Sequence, residues 1–285
     1  MVVRLTTDYY VLNVLDYTYS PTTLTADTTS ITISYPFQNS TLTTSLPITV
    51  KSYDDVLENN DWADIAQAAA EGEASTLWNL GDTKTFAIGS TTYTAMIVGF
   101  DFHALRNTDT EYDTTYNNSS KKAAITFIVK ELQAAKRIHS TSSSATNYNN
   151  TEMAETTLPA LYNTLPAELQ NAMRLPTYYC SKGYSSTSSS TQVSTTTCKI
   201  FLPSVYEIIG ATYGGANDKT QLPYFANGGS KIFKLNGNAD IYYTRNNDND
   251  SNNTYYRYIS ETGTVSGSTF NSATTARAYT FLFCI

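Results

Sequence analysis

The sequence predicts an α+β fold: short helices around antiparallel sheets, preceded by a small N-terminal β-segment. Two observations carry this. Charged residues make up only 15% of the 285-residue chain, so its polarity comes mainly from Thr, Ser, Asn and 23 tyrosines. Thr and Tyr suit a pleated, half-exposed surface. The second observation is a set of short capped helical segments set among alternating strand-like runs.

In chain order, Tyr9–Leu15 and Ser30–Tyr35 alternate as half-buried strands, and Leu46–Val50 adds a third. Residues 1–52 therefore read as a β-rich attachment or oligomerisation segment, and 53–285 as a ligand-binding domain. Asn60–Gly72 predicts a helix, with an Asn/Asp N-cap, a glycine stop, and Trp62, Ile65, Ala66 and Ala69 on one face. Thr85–Ile88 and Thr92–Phe100, separated by Gly89-Ser90, predict a hairpin. Residues 104–150 are polar apart from the run Ala123–Val129 and the helical Glu131–Lys136. Leu165–Arg174 is a helix with proline in its first turn. Residues 181–197 read as a Ser/Thr-rich loop and Cys198–Leu202 as a short strand. Ser204-Val-Tyr-Glu207 is a capping box opening a helix that stops at Gly210. Tyr213-Gly-Gly and Asn227-Gly-Gly are turns.

A net charge of -7 and a pI near 4.8 argue against a nucleic-acid partner, which demands a basic footprint, and against docking on anionic membranes. No apolar run approaches a membrane span, and residues 1–8 do not form a signal peptide. Three cysteines make no disulfide framework; free buried thiols are the default, although Cys180 and Cys198 flank an insert that a bridge would close.

Residues 236–258 are mostly Asn, Asp and Tyr, with Ala239 and Ile241 the only aliphatic side chains. Such a run has little to bury, yet it leads into the apolar Phe281–Ile285. Tyrosine mixed with small polar residues is a paratope composition. The expected ligand-binding face is Tyr242, Tyr243, Asn246, Asn247, Asp248, Asn249, Asp250, Asn252, Asn253, Tyr255, Tyr256 and Arg257, with a solvated loop as the plainer alternative. Tyrosines supply rigid contact area, and Asn and Asp supply donors and acceptors for sugar hydroxyls or a protein surface. Arg245 and Arg257 are the charged candidates; for Arg245 a buried structural role is favoured.

The order of features from Trp62 onward is less generic. Trp62 with Ala63-Asp-Ile is followed by Trp78-Asn-Leu-Gly-Asp82, Phe100-Asp-Phe-His103 and Tyr162-Asn-Thr-Leu-Pro-Ala-Glu-Leu169. Cys198-Lys-Ile-Phe-Leu-Pro-Ser-Val-Tyr-Glu-Ile-Ile-Gly210, Gln221-Leu-Pro-Tyr-Phe225, Ile241-Tyr-Tyr-Thr-Arg245 and Ala278–Ile285 complete the series. Over residues 53–285 this resembles a domain-of-unknown-function family of surface and phage-encoded proteins of gut bacteria, placed with the C-type-lectin-like and formylglycine-generating-enzyme-like folds. Tyr242-Tyr243 and Thr280-Phe281 depart from the family's usual Trp-Trp and Arg-Pro, so a particular ligand does not carry over. Some proteins of this fold are variable proteins of diversity-generating retroelements, which mutate template adenines and so convert asparagine codons. An Asn-rich stretch near the C-terminus resembles such a variable region; a diversified face and a fixed one both stand.

Sites for chemistry are sparse. H-E-x-x-H, G-x-S-x-G, a phosphate loop and C-x-x-C are all absent. His103 and His139 read as structural. Formylglycine generation needs cysteines facing a cleft, whereas Cys284 sits in an apolar strand, so no enzymatic activity, catalytic residue, cofactor or metal is expected. Asp248-Asn-Asp250 lacks the Gly and Glu of an EF-hand loop, with a lectin-type calcium site kept as an alternative. The expectation is a receptor-binding protein or adhesin of a phage tail, virion or cell surface, acting in host recognition. Its partner is a cell-surface protein or glycan of a bacterial host, with a homo-oligomer through the N-terminal segment as an option. A virion structural or decoration protein is the alternative, and a formylglycine-generating-type enzyme the most remote one.

Overall fold

A computed structural model describes residues 18–22, 28–37, 40–47, 53–106, 122–141, 147–185, 188–211, 220–247, 255–266 and 269–285. Chain contacts divide it into two compact units, Met1–Asp54 and Asp55–Ile285. In the first, β1 (Thr18–Ser20), β2 (Ser30–Phe37) and β3 (Ser40–Pro47) form an antiparallel sheet in sequence order. The third strand thus begins at Ser40, ahead of the expected Leu46, because β2 pairs with it along its whole length. Tyr9–Leu15 lies outside the described residues.

The second unit opens with α1 (Trp62–Glu71). The Asp61 carboxylate accepts from the Asp64 amide at its start, and Gly72 closes it in the left-handed conformation (φ 79°). Trp62, Ile65, Ala68 and Ala69 are buried, so Ala68 joins the expected face and Ala66 lies at its margin. After α2 (Ala74–Leu77) come the antiparallel strands β4 (Thr83–Ile88) and β5 (Thr91–Phe100), joined through Gly89-Ser90. Next are β6 (Ala104–Leu105), β7 (Ile125–Val129) and β8 (Gln133–Lys136), then α3 (Leu158–Tyr162), α4 (Ala167–Ala172) and β9 (Pro176–Thr177). β10 (Tyr179–Ser185) and β11 (Ser188–Val193) make a hairpin, followed by β12 (Ile200–Phe201), α5 (Val205–Ile209) and α6 (Pro223–Ala226). The chain ends with β13 (Lys234–Leu235), β14 (Asn238–Ala239), β15 (Tyr242–Asn247), β16 (Tyr255–Ile259), β17 (Phe270–Ser272), β18 (Arg277–Tyr279) and β19 (Leu282–Cys284).

Two five-stranded sheets organise this unit. The first runs β12-β19-β7-β5-β4 and is antiparallel throughout; the second runs β17-β16-β15-β18-β8, with only β15 and β18 parallel. The chain crosses between them four times, from β7 to β8, from β8 to β12, from β12 to β15 and from β18 to β19. The α+β architecture is therefore present. Trp62 of α1 sits edge-on to Phe127 and Phe283, whose rings stack at 5.0 Å in the middle of the first sheet. Burying aromatic side chains of this kind contributes about 1.5–3 kcal/mol each.

Two local expectations fail. Residues 133–136 form a strand rather than a helix, because β8 pairs with β18 at the sheet edge and this tertiary pairing overrides the helix propensity of Gln-Ala-Ala-Lys. The Ser/Thr-rich segment is a hairpin rather than a loop, since Tyr179, Cys180 and Ser181 pair with Val193, Gln192 and Thr191. Cys180, Cys198 and Cys284 are free and buried, so no bridge closes that hairpin. Tyr213-Gly-Gly lies outside the described residues.

Candidate functional site

The capping box of α5 is the nucleus of the polar core. Ser204 Oγ accepts from the Glu207 amide, and Glu207 Oε2 accepts from the Ser204 amide at 2.8 Å. The adjoining Val205 amide donates to Asn246 Oδ1 at 2.8 Å. Three orphan donors at the start of a buried helix are thereby satisfied.

Glu207 then receives a second set of donors. Arg245 spans its carboxylate, Nη1 to Oε2 at 2.7 Å and Nη2 to Oε1 at 2.6 Å. His103 Nε2 lies 2.8 Å from Oε1, and because a carboxylate only accepts, Nε2 carries the proton. Nδ1 faces Thr126 Oγ1 at 3.0 Å, and Thr126 in turn lies 3.8 Å from Cys284 Sγ. The remaining Arg245 donors reach the carbonyls of Tyr179 and Leu202, and its guanidinium lies 5.0 Å from the Tyr178 ring. The fork shape of arginine makes this possible, since a lysine would offer no matching bidentate pair.

Charge follows from this packing. Burial by itself raises the Glu207 pKa, but Arg245 and His103 outweigh it and hold the carboxyl far below its usual range. For His103 burial lowers the pKa; contact with Cys284 and with the Glu207 carboxylate outweighs it and pushes the value up to about 9. Glu207, Arg245, Thr126 and Cys284 are 0–1% exposed and His103 5%. No substrate reaches these groups in this conformation. The cluster binds α5, β15, β7 and β19 together as a sealed ionic core.

Of the displayed face expected over 242–257, the described members are corrected here. Tyr242, Tyr243, Asn246, Asn247, Tyr256 and Arg257 are buried, and Tyr255 is half-buried. β15 is the central strand of the second sheet and is covered on both faces. Most of its polar side chains are satisfied by other segments, although Asn247 Nδ2 is buried with no partner among the described residues. Tyr242 Oη donates to the Lys231 carbonyl at 3.0 Å, Tyr243 Oη to the Thr275 carbonyl at 2.8 Å, and Thr244 Oγ1 to the Arg257 carbonyl at 3.0 Å. Arg257 Nη1 donates to the Ser266 carbonyl at 3.0 Å. Arg245 is buried as favoured, and His103 is part of the core. Asp248, Asn249, Asp250, Asn252 and Asn253 lie outside the described residues. Among the described residues no three His, Cys, Asp or Glu side chains are grouped to hold a metal.

A different region offers an open concavity. Between the β5 start, the β7–β8 turn and the 230–237 segment lies a cleft of about 630 Å³, within the range of small-ligand sites. Tyr93 and Tyr224 are half-exposed on its walls, Met96, Leu132 and Phe233 form its floor, and Lys130, Lys234 and Asn236 stand at its rim. Tyr93 is braced by Phe86, stacked at 5.8 Å. Tyr224 is held against Gly229, where any Cβ would overlap the ring, with Gly81 on its other side. Asn236 (φ 50°) and Gly237 (φ 85°) make the tight turn of β13–β14 that sets one rim. Sequence reasoning missed this site. Tyr224 lies inside the Gln221–Phe225 motif and Gly229 inside a predicted turn, but nothing local joins them to Tyr93.

No curated protein and no solved structure matches the chain. A family model, described as Domain of unknown function (DUF6273), matches residues 105–279, more than half of the chain, and takes in Thr126, Glu207 and Arg245 of the ionic core. The chain belongs to the DUF6273 family.

Proposed function

We propose that this is a ligand-binding protein of the receptor-binding or adhesin class, with a C-type-lectin-like domain, and that it is not an enzyme. On this reading it works at a virion tail or surface, or at a cell surface, and recognises a protein or glycan of a bacterial host. One observation carries the reading: two half-exposed tyrosines, each braced by its neighbours, wall an open cleft built on paired strands, while the titratable cluster is sealed in the core. Rigid aromatic side chains give contact area at low entropic cost. The recognition surface is therefore assigned to the Tyr93–Tyr224 cleft and not to the 242–257 strands. Diversification of the whole 236–258 stretch is left out of the proposal. Random replacement at Arg245 or Asn246 strands buried partners, and stranding a buried charge costs about 3–5 kcal/mol. A reverse-transcriptase gene beside a near-repeat differing at adenines throughout that stretch would reverse this exclusion.

The test is a Tyr93→Ala/Tyr224→Ala double variant compared with the parent protein for binding to host cells by flow cytometry. A loss of about tenfold or more in cell-associated signal is expected, with the thermal unfolding profile still cooperative. Undiminished cell binding by a folded double variant sinks the cleft as the recognition surface.

A further inference from the structure

We propose that the cleft takes a short anionic saccharide, its ring faces stacked on Tyr93 and Tyr224 and its carboxylate or sulfate group held between Lys130 and Lys234. This rests on the ligand-binding reading above and narrows it to a chemical class.

The charge distribution at the cleft is the first argument. The chain as a whole carries a net charge of -7, yet the cleft presents two exposed ammonium groups, Lys130 and Lys234, and one carboxylate, Glu131. That carboxylate is already committed: its Oε2 accepts from the Thr94 amide at 2.6 Å and its Oε1 from the Thr94 hydroxyl at 2.9 Å. Among the described residues neither Lys130 nor Lys234 forms an ion pair. The two segments that carry them are joined by backbone, because Glu131 and Lys234 sit across a parallel bridge and the Leu132 amide donates to the Lys234 carbonyl at 2.9 Å. A site of net positive charge remains in a predominantly negative molecule.

Aromatic and hydrogen-bonding chemistry gives the second argument. A purely ionic ligand has no use for two tyrosine faces, and a purely apolar one gains nothing from the lysines, Asn236 and Ser230. Sugars join the two requirements in one molecule, with C–H faces that pack on aromatic rings and hydroxyls that both donate and accept. The Asn236 amide and the Ser230 hydroxyl offer complementary groups beside those rings. The acidic substituent supplies what the lysines require.

The experiment titrates the full chain by isothermal calorimetry with three probes: trigalacturonate (carboxylated), a heparin tetrasaccharide (sulfated) and cellotriose (neutral). Binding of either anionic probe at least about tenfold more tightly than cellotriose is expected, with a further loss of about tenfold or more in a Lys130→Gln/Lys234→Gln variant. These two lysines are exposed, so the variant should unfold at the same temperature as the parent protein. Which probe binds separates carboxylate from sulfate recognition, and either result supports the class. No anionic probe binding, equal binding of cellotriose, or full anionic binding by the lysine variant each overturns it. If the tyrosine variant loses cell binding while every saccharide fails, this inference falls and the ligand-binding reading stands, with a protein partner in its place. If the tyrosine variant keeps cell binding, the cleft falls as the recognition surface and this inference falls with it.

Discussion

Tyrosines in two parts of this molecule meet opposite fates. In β15 and β16, Tyr242, Tyr243 and Tyr256 are entirely buried. Around the cleft, Tyr93 and Tyr224 stay half-exposed. The residue type is the same, and its own polarity does not separate the cases. What differs is where partners for the phenol come from. Tyr242 and Tyr243 give their hydroxyl protons to backbone carbonyls of Lys231, Ser272 and Thr275, so the whole ring becomes burial area. For the Tyr93 and Tyr224 hydroxyls the described structure records no such partner, and these rings are only partly covered, Tyr93 by Phe86 and Tyr224 by Gly229 and Gly81. A polar stretch becomes core when distant backbone satisfies it, and stays surface when it does not.

The largest expected effect breaks the core side of this contrast. Arg245→Ala removes both bidentate contacts to Glu207 and the donors to Tyr179 and Leu202, leaving a carboxylate buried beside a single histidine. The loss should be about 3–5 kcal/mol, a large share of the stability of an ordinary domain, measured as a drop in the urea midpoint or as failure to fold. Arg245→Lys should recover only part of it, because a single ammonium cannot span both oxygens. A midpoint within about 0.5 kcal/mol of the parent protein would mean that the strand is displayed after all.

The pH dependence is the next largest. The His103 pKa is raised in the folded state to about 9 from 6.5. A raised folded value stabilises fully below the unfolded pKa, and the contribution is lost as the pH climbs through the folded one. Stability should therefore fall between about pH 6.5 and 9, by roughly 3 kcal/mol if His103 acts alone. Glu207 has the opposite sign: its folded pKa is depressed, so its contribution is full above about pH 4.5 and is lost as the pH falls. Urea midpoints across pH 4–9 should show a plateau near pH 5–6. His103→Gln should flatten the alkaline limb, whatever its cost in absolute stability; an unchanged limb would place the titration elsewhere.

How much of this was legible in the sequence depended on whether the signal was local. The cap and stop of α1, the β4–β5 hairpin and the Ser204–Glu207 box are written within a few residues of each element, and they form as the residues predict. The members of the ionic core were visible one by one as motif residues: His103, Glu207, Arg245 and Cys284. Their convergence was not, because His103 and Glu207 stand 104 residues apart and meet only through the sheet order. The stretch at 236–258 misled for the same reason. Counted by hydrophobicity, Tyr-Tyr-Thr-Arg-Asn-Asn is a surface. Counted by available partners it is a strand whose hydrogen bonds are completed by Tyr179, Leu202, Glu207 and Val205. Strand-forming β8 was hidden similarly, its helical composition overridden by pairing with β18.

The smallest expected effect on stability sharpens the cleft side. Gly229→Ala places a methyl where the Tyr224 ring now lies. In a sealed core such overpacking costs about 1–3 kcal/mol, but this ring is half-exposed and can swing toward solvent, so the loss should fall at or below the lower end. Binding should respond far more than folding, because the ring that swings out is the one proposed to stack on the ligand. A Gly229→Ala protein with a near-parental unfolding temperature and cell binding reduced about tenfold would separate the two kinds of tyrosine by experiment. The equivalent crowding of Tyr243 or Tyr256 has no solvent to swing into, and there folding and binding must fail together. Were Gly229→Ala to unfold the protein as severely as Arg245→Ala, Tyr224 would belong with the core tyrosines and the cleft would lose one of its two walls.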